Sequence, residues 1–140
     1  MPTSGPVLIV ENDEDDYELM LLAFQSIGVR NEIVFFRNGE KALNYLLGET
    51  RNPFLILCDI NMPGMGGFEL REAINEREQL KKKAVPFIFL TTSERMSDVN
   101  KAYELTVQGY FTKADTLPAL TGQIKAIVDY WRACKHPSKD

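Results

Sequence analysis

The chain has 140 residues, of which 44% are hydrophobic and 26% charged, and it carries a formal net charge of −4. This length suits one domain with a sizeable core, and the composition excludes a disordered chain. The acidic balance argues against nucleic-acid binding over the whole surface, and no apolar stretch approaches the roughly 18 residues of a membrane span.

The opening, "MPTSGPVLIVENDEDD", lacks the basic region of a signal peptide. Its apolar run "VLIV" at 7–10 reads as a strand and ends in Glu11, Asn12, Asp13, Glu14, Asp15 and Asp16. Tyr17, Met20, Leu21, Phe24 and Ile27 then follow the spacing of one helical face, and Gly28 can close that helix. "EIVFF" at 32–36 is a second strand. Asn38 is a candidate N-cap for a helix with Leu43, Leu46 and Leu47 as its stripe and Gly48 at the C-cap. "FLILC" at 54–58 is the third strand, and it runs into Asp59 and a Met-Pro-Gly turn. The next helix passes from about Phe68 through Leu70 and Ile74 into "NEREQLKKK". That charged end reads as a solvated helix end and loop, with lysines where the macrodipole favours them. "FIFL" at 87–90 precedes Thr91, Thr92 and Ser93, and a helix over about 97–105 carries Val99, Ala102 and Tyr103 on one side. "YF" at 110–111 precedes Thr112 and Lys113. A last helix begins after Asp115 or Thr116, with Leu120, Ile124, Ile127, Val128 and Trp131 on its face. The expected organisation is one domain over 1–131 and a short polar tail over 132–140.

The runs are short, rich in Val, Ile and Phe, and mostly continuous rather than alternating, as in strands buried on both faces. Strand and helix alternate five times, which predicts an α/β fold: a doubly wound five-stranded parallel sheet with helices on both faces. Such sheets bind ligands beyond the carboxyl ends of their strands. Glu11 with its acidic neighbours, Asp59, Thr91 and Lys113 all follow apolar runs, so one rim gathers carboxylates, a hydroxyl and an ammonium. Glu11 and Asn12 are expected to face this rim, and Asp15 and Asp16 to cap or flank the helix.

These groups form a readable kit. Carboxylates suit Mg²⁺, a hard cation that takes oxygen ligands. Asp59 could attack phosphorus as a nucleophile, with Lys113 balancing charge and Thr91 donating a hydrogen bond to a phosphoryl oxygen. Each residue alone has a plainer role: Asp59 as a turn former, Thr91 as a loop residue, Lys113 as a surface charge, Tyr110 and Cys58 as core. Cys58 and Cys134 show no metal or disulfide spacing and His136 is the single histidine, so a reducing cytoplasm is expected.

The segments "VLIVEN", "LILCDINMPGMGG", "VPFIFLTTS" and "GYFTKAD" together resemble the receiver domain of bacterial response regulators, from about Val7 to Trp131. The long charged stretch before "VPFIFLTTS" resembles the single-domain regulators paired with bacterial phytochromes. The resemblance implies a flavodoxin-like strand order 2-1-3-4-5. It also implies Asp59 as phosphoacceptor, Glu11 and position 12 as the acidic pair, Asn61 as a Mg²⁺ ligand through its backbone carbonyl, Thr91 and Tyr110 as switch residues, and Lys113 as the family's lysine. The implied function is a phosphorylation switch rather than an enzyme. A sensor histidine kinase is the donor, and the output is contact with an unknown effector or a second copy, without nucleic acid or membrane.

Two positions depart from the family pattern. Asn12 stands where a second acid is usual, so Mg²⁺ affinity is expected to be weakened unless Asp13 or a neighbouring acid turns inward. Ala114 stands where proline is usual. A cis bond before a non-proline residue costs about 2.5–4 kcal/mol, so a trans bond and a rearranged loop are expected. These departures keep open a receiver-like docking module that works without phosphate. A second rival, an aspartyl-phosphate phosphatase, wants a proton-shuttling acid where Asn61 stands, and an amide cannot serve.

Overall fold

The computed structural model describes residues 2–48 and 51–137. After a 3-10 turn at Pro2–Ser4, strands β1 (Val7–Val10), β2 (Ile33–Phe36), β3 (Leu55–Cys58), β4 (Phe87–Thr91) and β5 (Gly109–Thr112) form one sheet. Their order is β2-β1-β3-β4-β5, and every pairing is parallel. The expected order therefore holds. The helices are α1 (Glu14–Ser26), α2 (Gly39–Gly48), α3 (Gly67–Asn75), α4 (Glu78–Lys81), α5 (Met96–Glu104) and α6 (Leu117–Ala133).

The sheet separates two apolar layers. Val7 and Ile9 of β1 face α1 and α6, where Met20, Ala23, Phe24, Leu120, Ile124 and Val128 are buried. Leu8 and Val10 face the other way, against Ala42, Leu43 and Leu46 of α2, Leu70 and Ile74 of α3 and Ala102 of α5. Successive strand residues point to opposite faces, so a continuously apolar strand supplies both layers at once. The central strands are fully buried, whereas the edge strands β2 and β5 are half-buried along their length.

Local chemistry sets the helix starts. Asp13 accepts hydrogen bonds from the N–H groups of Asp15 and Asp16 and caps α1. Asn38 Oδ1 accepts from Lys41 N–H ahead of α2, as its sequence position suggested. Thr116 accepts from Ala119 N–H and caps α6. Each satisfies a donor that the first helical turn leaves unpaired.

Several details differ from expectation. The charged stretch after α3 is not its continuation: α3 stops at Asn75 and Glu78–Lys81 forms a separate single turn, because Leu80 has a buried place to fill. Leu47 and Tyr103 are exposed, at 40% and 52%, and Ala42 and Ala102 carry the buried positions. Gly48 is the last residue of α2 rather than a cap beyond it. Helix α6 continues to Ala133, two residues into the segment expected to be tail, and residues 138–140 of that segment lie outside the described residues.

Candidate functional site

Backbone pairing places the rim residues. Glu11 N–H donates to Phe36 O, Asp59 N–H to Val10 O and Lys113 N–H to Thr91 O, so each is the first residue beyond its strand and still pinned to a neighbour. Behind Asp59 the backbone doubles back, and Gly67 N–H donates to Ile60 O. A side chain at Gly67 would collide with the Asp59 carbonyl oxygen, so glycine is what allows α3 to start so close to the strand end. Gly64, at φ +74°, turns the preceding loop.

Four charged groups meet here. The Lys113 ammonium lies 2.5 Å from Glu11 Oε1, 2.8 Å from Asp16 Oδ2 and 3.5 Å from Asp59 Oδ2. Glu11 also accepts Asp13 N–H, and Asp59 Oδ1 accepts Ile60 N–H at 2.7 Å. Glu11 and Lys113 are almost fully covered, their side chains being 2% and 8% exposed. Burial pushes the Glu11 carboxyl up to about 7, against the lowering pull of Lys113, and the neighbouring Asp59 charge adds to the rise. Burial alone would lower the Lys113 ammonium, but its hydrogen bonds to Asp16 and Glu11 outweigh that and hold it above its ordinary range.

Thr91 ends β4 fully buried, and its hydroxyl oxygen sits 3.5 Å from Ser93 N–H. Tyr110 on β5 donates its hydroxyl to Ser93 O at 2.9 Å, while its ring packs near Phe89. Burial raises its phenol above the usual value. Ser93 in turn donates to Asp98 Oδ2 at 2.5 Å, so the loop after β4 ties the rim to the first turn of α5. Cys58 is buried beneath Asp59, as its alternation along β3 required.

The structure thus brings together Glu11, Asp59 and Lys113, with Thr91 and Tyr110 on the adjoining strands. Asn12, expected to face the rim, is exposed, as is Asn61. Asp13 does not turn inward, because its carboxylate is committed to the α1 cap. Asp16, expected to cap or flank the helix, does turn inward. Its position four residues before the buried Met20 carried that signal, since residues four apart share a helix face. Among the described residues no peptide bond is cis, so Lys113–Ala114 is trans as expected. Ala114 N–H is held by Gln123 Oε1 and Gln123 Nε2 donates to Thr112 O, which fixes the loop without proline.

Three carboxylates around one ammonium leave an excess of negative charge on hard oxygen donors, which suits a divalent cation chemically. Among the described residues, however, no three His, Cys, Asp or Glu side chains stand in an arrangement ready to hold one. Lys113 takes the place between the acids.

A doubly wound parallel sheet in the order 2-1-3-4-5, with an aspartate at the tip of its middle strand flanked by a buried acid and a lysine, is the architecture of a receiver-type signalling domain. Residues 7–125 match the response regulator receiver domain, and the chain belongs to that family. It is 33% identical over 130 residues to the response regulator Rcp1 of Synechocystis sp., covering 89% of this chain and 87% of that protein. Among solved structures it is similar to the phosphorylated cyanobacterial phytochrome response regulator RcpA, with a TM-score of 0.85, 32% identity and coverage of 95% and 98% of the two chains. It is also similar to the Mn²⁺-bound form of Rcp1, with a TM-score of 0.81, 32% identity and coverage of 95% and 99%. The expected likeness to phytochrome-associated regulators is borne out by these relatives.

Proposed function

We propose that this receiver domain is a phosphorylation-dependent switch whose acceptor is Asp59 and whose donor is a sensor histidine kinase. The observation that carries the reading is the Asp59 carboxylate at the tip of the central strand, one oxygen held by Ile60 N–H and the other 3.5 Å from Lys113. In this reading an Asp59 oxygen attacks the phosphorus of a phosphohistidine, the P–N bond breaks, and the imidazole leaves with its electron pair. Glu11 and Asp59 side chains and the Asn61 backbone carbonyl would hold Mg²⁺, with Asn12 a neutral fourth candidate. The ion would supply charge neutralisation for the phosphoryl oxygens, as hard cations do in phosphoryl transfer. The solved Mn²⁺-bound relative supports a divalent ion here.

Lys113 is the group that follows the new charge, moving its ammonium from Glu11 toward the phosphoryl group. Thr91 turns its hydroxyl to the same oxygens and gives up Ser93 N–H. Tyr110, whose hydroxyl is anchored on Ser93 O, registers that loop change and passes it to α5, β5 and α6. This is a two-state surface biased by a local charge event. Its readers would be an effector protein or a second copy of the chain.

Incubation with Mg²⁺ and acetyl phosphate, followed by intact mass measurement, tests the reading. One phosphoryl adduct is expected, and none in Asp59→Asn. An unmodified wild-type protein under saturating Mg²⁺ refutes the switch and leaves a docking module.

A further inference from the structure

Lys113 meets three acids within 4 Å. Glu11 and Asp59 suffice to bracket an ammonium, yet Asp16, from the first turn of α1, also reaches it at 2.8 Å. The three acids differ in setting. Glu11 is closed off from solvent, Asp59 is slightly exposed, and the Asp16 side chain is 33% exposed at the outer edge. Asp16, Thr92, Lys113, Ala114 and Asp115 border a recess of about 190 Å³, so the lysine side chain has open space on the Asp16 side.

We infer that Asp16 is a positioning residue for Lys113: it provides the ammonium with a second berth, so that Lys113 can give up Glu11 to a divalent ion without being left buried and unpaired. This rests on the phosphorylation-switch reading. The physical requirement is plain. Lys113 and a divalent cation compete for Glu11, and two cations on one carboxylate repel each other strongly where water is excluded. A covered ammonium without a partner is costly, so the lysine must move to another anion rather than to none. The Lys113 backbone is fixed to Thr91 O and the next residue to Gln123, so only the side chain can move. Asn12 is exposed and uncharged, and Asp13 is occupied by the α1 cap. Asp59 would itself hold the ion, so of the acids within 4 Å of the ammonium Asp16 is the one left. In this way a carboxylate one helical turn further on offsets part of what Asn12 lacks, through the lysine.

Isothermal titration with Mg²⁺ alone, on wild type, Asp16→Asn, Lys113→Met and the double variant, reads the coupling. Asp16→Asn is expected to weaken Mg²⁺ binding about tenfold when Lys113 is present and to have little effect in the Lys113→Met background. Asp16→Glu should restore binding. An equal loss in both backgrounds would mean that Asp16 meets the ion directly, and no loss in either would mean that it plays no part; both overturn the inference. The ¹⁵Nζ resonance of Lys113 gives a second measurement that needs no lysine substitution. It should stay hydrogen-bonded on Mg²⁺ addition in wild type and lose that signature in Asp16→Asn, and identical behaviour in the two proteins overturns the inference. If wild type binds no Mg²⁺ and forms no adduct, the switch reading falls as well. If it binds and is phosphorylated but the cycle shows no coupling, only the role of Asp16 falls.

Discussion

Substituting Glu11 by Gln should change how stability depends on pH, and the size of the change follows from the burial of this one carboxyl. In the folded protein it is raised from 4.5 to about 7, first by burial. Between those values the folded state holds a proton that the unfolded state has released. Stability therefore falls as pH rises through this window: it is greatest below the unfolded value and is lost by the folded one. At about 1.4 kcal/mol for each pH unit, the loss is on the order of 3 kcal/mol. Lys113, raised above its ordinary 10.5, is charged in both states throughout this range and adds no slope of its own. Urea denaturation in EDTA at several pH values from about 4 to about 8 measures the effect. The two proteins should be similar at the acid end, and Glu11→Gln should become the more stable as pH rises. Mg²⁺ should restore wild-type stability at the alkaline end, because an ion that binds only the folded state adds to its stability. Parallel pH profiles would refute the argument that this carboxyl is buried at a cost.

Two further substitutions test the frame around the rim. Arg71, 8% exposed on α3, donates to Leu105 O and Thr106 O at the end of α5 and lies over the Phe87 ring. Arg71→Leu should lose roughly 3 kcal/mol by orphaning those carbonyls, and Arg71→Lys should recover only part of it because an ammonium cannot reproduce the fork; thermal denaturation reads both. Gly67→Ala should cost roughly 1–3 kcal/mol of stability and slow acetyl phosphate labelling, since its methyl would push on the Asp59 carbonyl and the Phe89 ring.

The rim was legible in the sequence because its residues stand where apolar runs stop, and in a parallel sheet those stops fall on one edge. Helix phase was readable wherever large side chains recur, as in Met20 and Phe24 or Ile124 and Val128. It misled at Leu47 and Tyr103, where the residue just before each, Leu46 and Ala102, takes the buried position instead. Arg71 could not have been found from pattern. It stands on the apolar side of α3 only because the end of α5 offers carbonyls there, a fact of tertiary packing. Asp16 was masked by composition, since a run of acids does not say which one turns inward, and only its place one turn before Met20 marked it. The separate turn at Glu78–Lys81 was hidden by its charge, with a single leucine to mark it.

The partition of the interior by the sheet has a consequence for how such a molecule can diversify. Tyr110 packs with the α2–α3–α5 side and its neighbour Phe111 with the α1–α6 side. Substitutions on opposite sides that lie well apart and share no partners should have effects that sum rather than interact. One side can drift toward a new docking specificity while the other keeps its jigsaw intact, and adjacent positions on a single edge strand can be selected for unrelated ends.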